Sequence, residues 1–211
     1  MSRPVKNEPA LHRPLRVGIT GGIGSGKTTA CEIFQKLGVP VYFADDRAKE
    51  LMVEDENLRR KITDLFGVKA YLPDGKLNRK FISDIVFKDK SKLEELNALV
   101  HPAVFEDAEQ WQRKHSETLY TLKEAALLFE SGSYKSLDKI IMVYAPKELR
   151  INRVMLRDGV SREAVEARME KQMPDEEKMK LADFTILNAG HHSLAEQVVA
   201  VHKQLFALAK R

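Results

Sequence analysis

Near its start the chain carries Arg16-Val-Gly-Ile-Thr-Gly-Gly-Ile-Gly-Ser-Gly-Lys-Thr-Thr29. Gly21, four further residues and then Gly26-Lys27-Thr28 have the spacing of a phosphate-binding loop. No other stretch restricts the fold as strongly. Val17 and Ile19 read as the end of a short buried strand, and Ala30, Ile33, Phe34 and Leu37 follow at helical spacing. The glycines therefore sit between a strand and a helix. A nucleoside triphosphate needs that junction. Glycines let the backbone wrap closely around it, and successive N–H groups at a helix start aim at its oxygens. Gly22, Ile23, Gly24, Ser25, Gly26, Lys27, Thr28 and Thr29 are the expected nucleotide contacts. Lys27 is expected to neutralise the outer phosphates and the Thr28 hydroxyl to ligate magnesium. A glycine-rich turn that binds nothing is the plainer alternative, and the full pattern in its proper setting argues against it.

A chain of 211 residues, 43% apolar and 31% charged, can bury a full core as one domain with inserted subdomains. A net charge of only +4 makes no electrostatic case for nucleic-acid binding. Cys31 is the sole cysteine, which excludes an internal disulfide and a cysteine-rich zinc site and fits a reducing, cytoplasmic setting. No apolar run approaches the roughly 20 residues that span a bilayer. Met1–Pro14, with three prolines and no apolar core, reads as a flexible extension preceding the domain at 15–211. A monomer or small homo-oligomer is expected.

Beyond the first helix, Gly38 is a natural stop and Val41-Tyr-Phe43 a second short strand. Ala44-Asp45-Asp46 closes it and opens a helix. From about 46 to 116 four amphipathic helices are expected without an intervening strand. The first ends at Gly67, the second is capped by Asn78, the third carries Leu93 to Val100, and the fourth starts at His101-Pro102. Such a run reads as a substrate-binding insertion in a sheet. Strands return at Leu119–Leu122 or Ala125–Phe129, then at Lys139–Tyr144 and Phe184–Leu187. Between the last two, from about 150 to 176, helices rich in arginine read as a lid, with Ser161 capping one that holds Arg168, Lys171 and Gln172. The alternation predicts an α/β fold, a three-layer parallel sheet with helices on both faces.

Phosphoryl transfer to a hydroxyl benefits from a carboxylate that takes the proton. Asp45 is the leading candidate, because it ends the strand that follows the loop helix, which commonly lies beside the first strand. Asp46 is the alternative base or a helix cap. Arg150, Arg153 and Arg157 share a helix face, either a solvated stripe or a lid closing on phosphates, with Arg157 the first choice for contact. Glu130 follows Leu127-Leu-Phe129 at an expected strand end, placing it for metal, substrate or a lid arginine. Arg79 and His101 carry little weight on spacing alone. Asp64-Leu-Phe-Gly67 imitates a GTPase switch, but it ends a helix and no guanine-reading motif accompanies it.

Taken in order, the motifs resemble those of dephospho-coenzyme A kinases. The phosphate loop is followed by Gly38-Val-Pro-Val41, Ala44-Asp45, Gly75-Lys-Leu-Asn-Arg79, Leu96-Asn-Ala-Leu-Val-His-Pro102 and Leu127-Leu-Phe-Glu130. Arg153, Arg157-Asp158, Arg168 to Gln172, and Ala182-Asp183 to Asn188 complete the series, so the resemblance runs from about Leu15 to the C-terminus. It implies a phosphate-loop kinase core with a helical substrate domain and a lid. It also implies transfer of the ATP γ-phosphate, with magnesium, to the ribose 3′-hydroxyl of dephospho-coenzyme A. Within it Asp45 matches the proposed base, Arg79 and His101 positions on the coenzyme A side, Arg157 the lid arginine, and Asn188 the segment near the adenine. Two residues depart from the pattern. Phe43 stands where the family usually has a first aspartate, and Ala126 where a proline often precedes Leu-Leu-Phe-Glu. Another small-molecule or nucleoside kinase is the nearest alternative, and a nucleotide-dependent switch a more distant one.

Overall fold

The computed structural model describes residues 13–210, so the extension expected over Met1–Pro14 lies outside the described residues except at its end. There Arg13 donates to Asp138 at 2.6 Å and Pro14 is buried. Tyr42–Arg113 forms one compact unit, and the chain through Val41 and from Lys114 forms another. Among the described residues no helix is long and apolar enough to cross a membrane.

The strands are β1 (Leu15–Thr20), β2 (Val41–Phe43), β3 (Tyr120–Glu124), β4 (Lys139–Tyr144) and β5 (Phe184–Leu187). They form a sheet in the order β2-β3-β1-β4-β5. β1 pairs in parallel with β3 and β4, and β4 in parallel with β5. Ile19 lies opposite Glu124, and Thr20 opposite Met142. Val17, Ile19, Leu122, Ile141 and Val143 are wholly buried, as central parallel strands require. Each such side chain stabilises the fold by about 1.5–3 kcal/mol on leaving water.

Two features of the sheet correct the sequence reading. The third strand falls on the first of the two alternative stretches and extends to Glu124, whereas residues 126–130 form a turn, so Glu130 does not end a strand. In addition, β3 and not β2 lies beside β1. Burial explains the order. Tyr120, Thr121, Leu122 and Glu124 are all buried and need a neighbour on each side, while the three-residue β2, with Val41 and Phe43 only half-buried, suits an edge. The Leu122 N–H donates to the Pro40 carbonyl at 2.9 Å where the chain enters β2.

The helices are α1 (Lys27–Lys36), α2 (Ala44–Glu54), α3 (Glu56–Phe66), α4 (Arg79–Val86), α5 (Lys90–Lys114), α6 (Lys147–Asp158), α7 (Arg162–Met169), α8 (Asp175–Leu181) and α9 (Leu194–Ala209). In the sheet unit α1 packs on α9, α9 on β3 and β5, and α8 on β4. In the helical unit α2 to α5 enclose Leu51, Leu58, Ile62, Ala70, Ile82, Leu96 and Val100. Asp55 caps α3 by accepting from the Asn57 and Leu58 N–H groups, both at 2.9 Å, and Asn78 caps α4 through the Phe81 N–H at 3.3 Å. Arg47 donates twice to Asp107, at 2.9 and 3.1 Å, and Tyr42 donates to the same carboxylate at 2.8 Å, fixing α2 against α5.

The helix expected to begin at His101-Pro102 does not begin there. α5 runs through both residues. An interior proline costs about 3 kcal/mol through its lost N–H bond and its clash with the preceding turn. Leu96 and Val100 before it, and Ala103 and Val104 after it, all pack into the same core, which holds both halves on one axis.

Candidate active site

The loop Gly21–Gly26 joins β1 to α1, and its shape follows from what packs behind it. Ser25 N–H donates to the Gly22 carbonyl at 3.0 Å, which closes a tight turn. Gly26 has φ 93°, a left-handed conformation that side chains resist, and a Cβ there would run into the Asn188 amide. Gly24, at φ 79°, lies against the Arg150 backbone carbonyl in the same way. Lys27 Nζ donates to the Gly21 carbonyl at 2.9 Å across the loop.

Gly26, the cap residue of α1, makes no side-chain capping bond, and the first turn of the helix holds no acid. α3, α4, α7 and α9, by contrast, open on Asp55, Asn78, Ser161 and Ser193, each accepting a first-turn N–H. The start of α1 thus combines amides that its cap residue, Gly26, leaves uncovered, the positive end of a helix dipole and the ammonium of Lys27. That combination is chemically suited to a phosphate chain. Thr28 and Thr29 are exposed at the same end.

Behind the loop stand residues from distant parts of the chain. Arg150, 7% exposed, donates from Nε to the Ala145 carbonyl at 3.0 Å and from Nη1 to the Ile23 carbonyl at 3.4 Å, and it pairs with Asp175 through Nη2. Arg153 reaches the Gly24 carbonyl at 3.4 Å and the Asn188 carbonyl at 3.2 Å. Asn188 Nδ2 donates to the Ser25 carbonyl at 2.8 Å, and the Gln172 side-chain Oε1 accepts the Ile23 N–H at 2.9 Å. The three arginines of α6 therefore do not form one stripe. Arg150 is built into the base of the loop, Arg153 touches its backbone, and Arg157 is exposed, donating to Asp158 at 2.7 Å. Asp158 also accepts from Arg168 at 3.0 Å. Lys171 and Gln172 lie in the turn after α7 and not on that helix.

The carboxylate beside β1 is Glu124. It is buried at the end of β3, with its Oε1 3.9 Å from Lys27 Nζ. The sequence reading stopped that strand two residues short and passed over it; a strand ending in an acid next to two alanines was the available signal. Burial, and after it the Glu124 charge, push the Cys31 thiol well above its ordinary range, in keeping with a packed, unreactive side chain. The Thr28 hydroxyl and the Glu124 carboxylate are hard oxygen donors, the set that suits a magnesium ion held jointly with nucleotide phosphates.

Glu130 accepts the Met173 N–H at 2.7 Å and pairs with the fully buried Lys178 at 2.9 Å. Burial alone would push its carboxyl up, yet Lys178 and the Met173 N–H hold it below the ordinary glutamate range. Burial pushes Asp175 up despite Arg150 beside it. In the helical unit Asp45 and Asp46 are exposed in the first turn of α2, where Asp46 pairs with Lys49 at 2.7 Å. Phe43 is the residue before that turn. Arg79 starts α4 and His101 lies mid-way along α5, both exposed.

A family model described as dephospho-CoA kinase matches residues 15–193. The chain belongs to the dephospho-CoA kinase family. A dephospho-CoA kinase of Bacteroides fragilis is 39% identical over 186 residues, covering 88% of this chain and 90% of its own. Among solved structures, TT1252 from Thermus thermophilus superposes with a TM-score of 0.80 at 36% identity, covering 93% of this chain and 98% of its own. A dephospho-CoA kinase from Campylobacter jejuni does so with a TM-score of 0.69 at 34% identity, covering 91% and 97%. The family consists of ATP-dependent kinases of coenzyme A biosynthesis, which use ATP and dephospho-CoA as substrates together with a divalent metal.

Proposed function

We propose that the protein transfers the γ-phosphate of ATP to the 3′-hydroxyl of dephospho-coenzyme A, giving coenzyme A and ADP. The observation that carries this reading is the start of α1, where Lys27 spans a glycine loop and the cap residue is the side-chain-free Gly26. Family membership supplies the acceptor. Lys27 and the amides of Gly22, Gly24 and Gly26 to Thr29 hold the phosphates. The expected Ile23 and Ser25 amides are already taken, by Gln172 and by the Gly22 carbonyl, and shape the loop instead, with Arg153 and Asn188 supporting it from behind. Thr28 and Glu124 are the residues to hold Mg2+, which when bound neutralises charge on the transferring group.

Asp45 takes the proton of the acceptor hydroxyl. Its place in the first turn of α2 leaves the carboxylate exposed. Arg157 stabilises charge on the transferring phosphoryl group after leaving Asp158, a salt bridge exposed enough to exchange at small cost. Arg79 and His101, exposed on α4 and α5, contact the coenzyme A portion. Glu130 is engaged by Lys178 and Met173 and serves the substrate by anchoring the segment before α8.

ADP release tests the reading. It should be rapid with dephospho-coenzyme A and slow with AMP, with nucleosides and with no acceptor. ADP formation that ignores dephospho-coenzyme A would overturn it.

A further inference from the structure

Ile23 sits at the middle of the phosphate loop, and both of its backbone groups are bound by side chains from far along the chain. Gln172 accepts its N–H at 2.9 Å, and Arg150 donates to its carbonyl at 3.4 Å. We propose that Gln172 is a positioning residue for the nucleotide phosphates, acting through the Ile23 backbone to hold the loop in its phosphate-binding shape. The proposal rests on the loop's being the triphosphate site and adds a residue and a route by which that site is shaped.

The physical need is plain in the loop's composition. Gly21, Gly22, Gly24 and Gly26 surround Ile23, and glycines lose more freedom on ordering than any other residue. Fixing each residue costs conformational entropy, a cost that falls on nucleotide binding unless the empty loop is already ordered. A carboxamide acceptor suits the task. It satisfies the amide without placing a negative charge beside the phosphates.

Gln172 can act this way only if its own segment is fixed, and it is fixed at several points. Its N–H donates to the Met169 carbonyl at 2.9 Å, and the next N–H, of Met173, donates to Glu130 at 2.7 Å. Asp175 pairs with Arg150, the arginine that holds the other side of Ile23, and the buried Lys178 pairs with Glu130 at 2.9 Å. The turn between α7 and α8 is thus tied to the loop at Ile23, to α6 at Arg150 and to the turn after β3 at Glu130. These ties run through side chains that no phosphate need touch.

Two variants test it: Gln172→Met, which keeps the length and removes the acceptor, and Gln172→Asn, which keeps the amide and withdraws it by one methylene. For each, calorimetry measures binding of ATP and of inorganic tripolyphosphate, and steady-state kinetics measures KM for ATP and for dephospho-coenzyme A. The expected result is a weakening of about tenfold for ATP and tripolyphosphate alike, the size of one neutral hydrogen bond. KM for dephospho-coenzyme A should stay within about twofold of the parent. Unchanged tripolyphosphate binding in both variants would overturn the proposal. So would a parallel rise in both KM values, the mark of a general structural defect. The binding arm uses no acceptor, so failure of the assigned reaction and failure of this proposal are separately visible.

Discussion

The phosphate loop and the helical unit of Tyr42–Arg113 acquire order in different ways. Within Gly21–Gly26 there is almost no side chain to pack, so partners from elsewhere fix the backbone. Gln172 and Arg150 hold Ile23 across 149 and 127 residues, and Asn188 holds Ser25 across 163. In the helical unit the helices carry apolar stripes, local caps at Asp55 and Asn78, and one shared ionic anchor at Asp107. The loop is therefore a precise surface sustained by long-range polar contacts, in which a single atom matters. The helical unit is sustained by redundant apolar contacts and tolerates even Pro102 inside α5. The contrast fits the tasks proposed for them. Phosphate transfer needs fixed charges, whereas accommodating a large acceptor needs a shaped apolar scaffold.

The strongest challenge to this contrast lies at the one point where the helical unit is asked to do chemistry. Asp45→Asn should lower kcat by roughly 10²–10⁴ while leaving ATP binding near that of the parent. Turnover close to normal would remove Asp45 from the role of base, and Glu124 would become the carboxylate to test. In the loop itself, Lys27→Ala should lower kcat by roughly 10²–10³ and weaken ATP binding as well, measured by kinetics and calorimetry. A fall in rate with unchanged ATP affinity would contradict its dual position between Gly21 and Glu124.

Smaller effects separate stability from chemistry. Asp107→Ala strips Tyr42 and Arg47 of their shared acceptor and should cost about 1–2 kcal/mol in urea unfolding, with ATP affinity unaltered. Altered nucleotide affinity in that variant would mean that the two regions are not separable as described. The smallest effect is one of pH. Because Glu130 is held below the ordinary value of 4.5 in the fold, its charged form stabilises the protein above that pH, and the benefit is lost as acid protonates it. Glu130→Gln should therefore melt below the parent at neutral pH, with the gap closing as pH falls under 4.5. A gap that does not change with pH would show that the Lys178 pair contributes nothing through charge.

Much of this was legible in the chain before folding, because the signals are short-range. The spacing of Gly21 to Thr28, the caps Asn78 and Ser161, the stop at Gly67 and the apolar run of β4 are each set by backbone conformation and burial within a few residues. What only the tertiary structure decided was who stands next to whom. Chain order suggested β2 beside β1, but β3 is the strand buried on both sides, and its insertion there puts Glu124 next to Lys27. Helical spacing grouped Arg150 with Arg157, but Asp175 and Ile23 draw Arg150 beneath the loop while Arg157 stays in solvent. No local pattern could announce these pairings. Their partners lie tens to more than a hundred residues apart and meet only when burying the sheet brings them together.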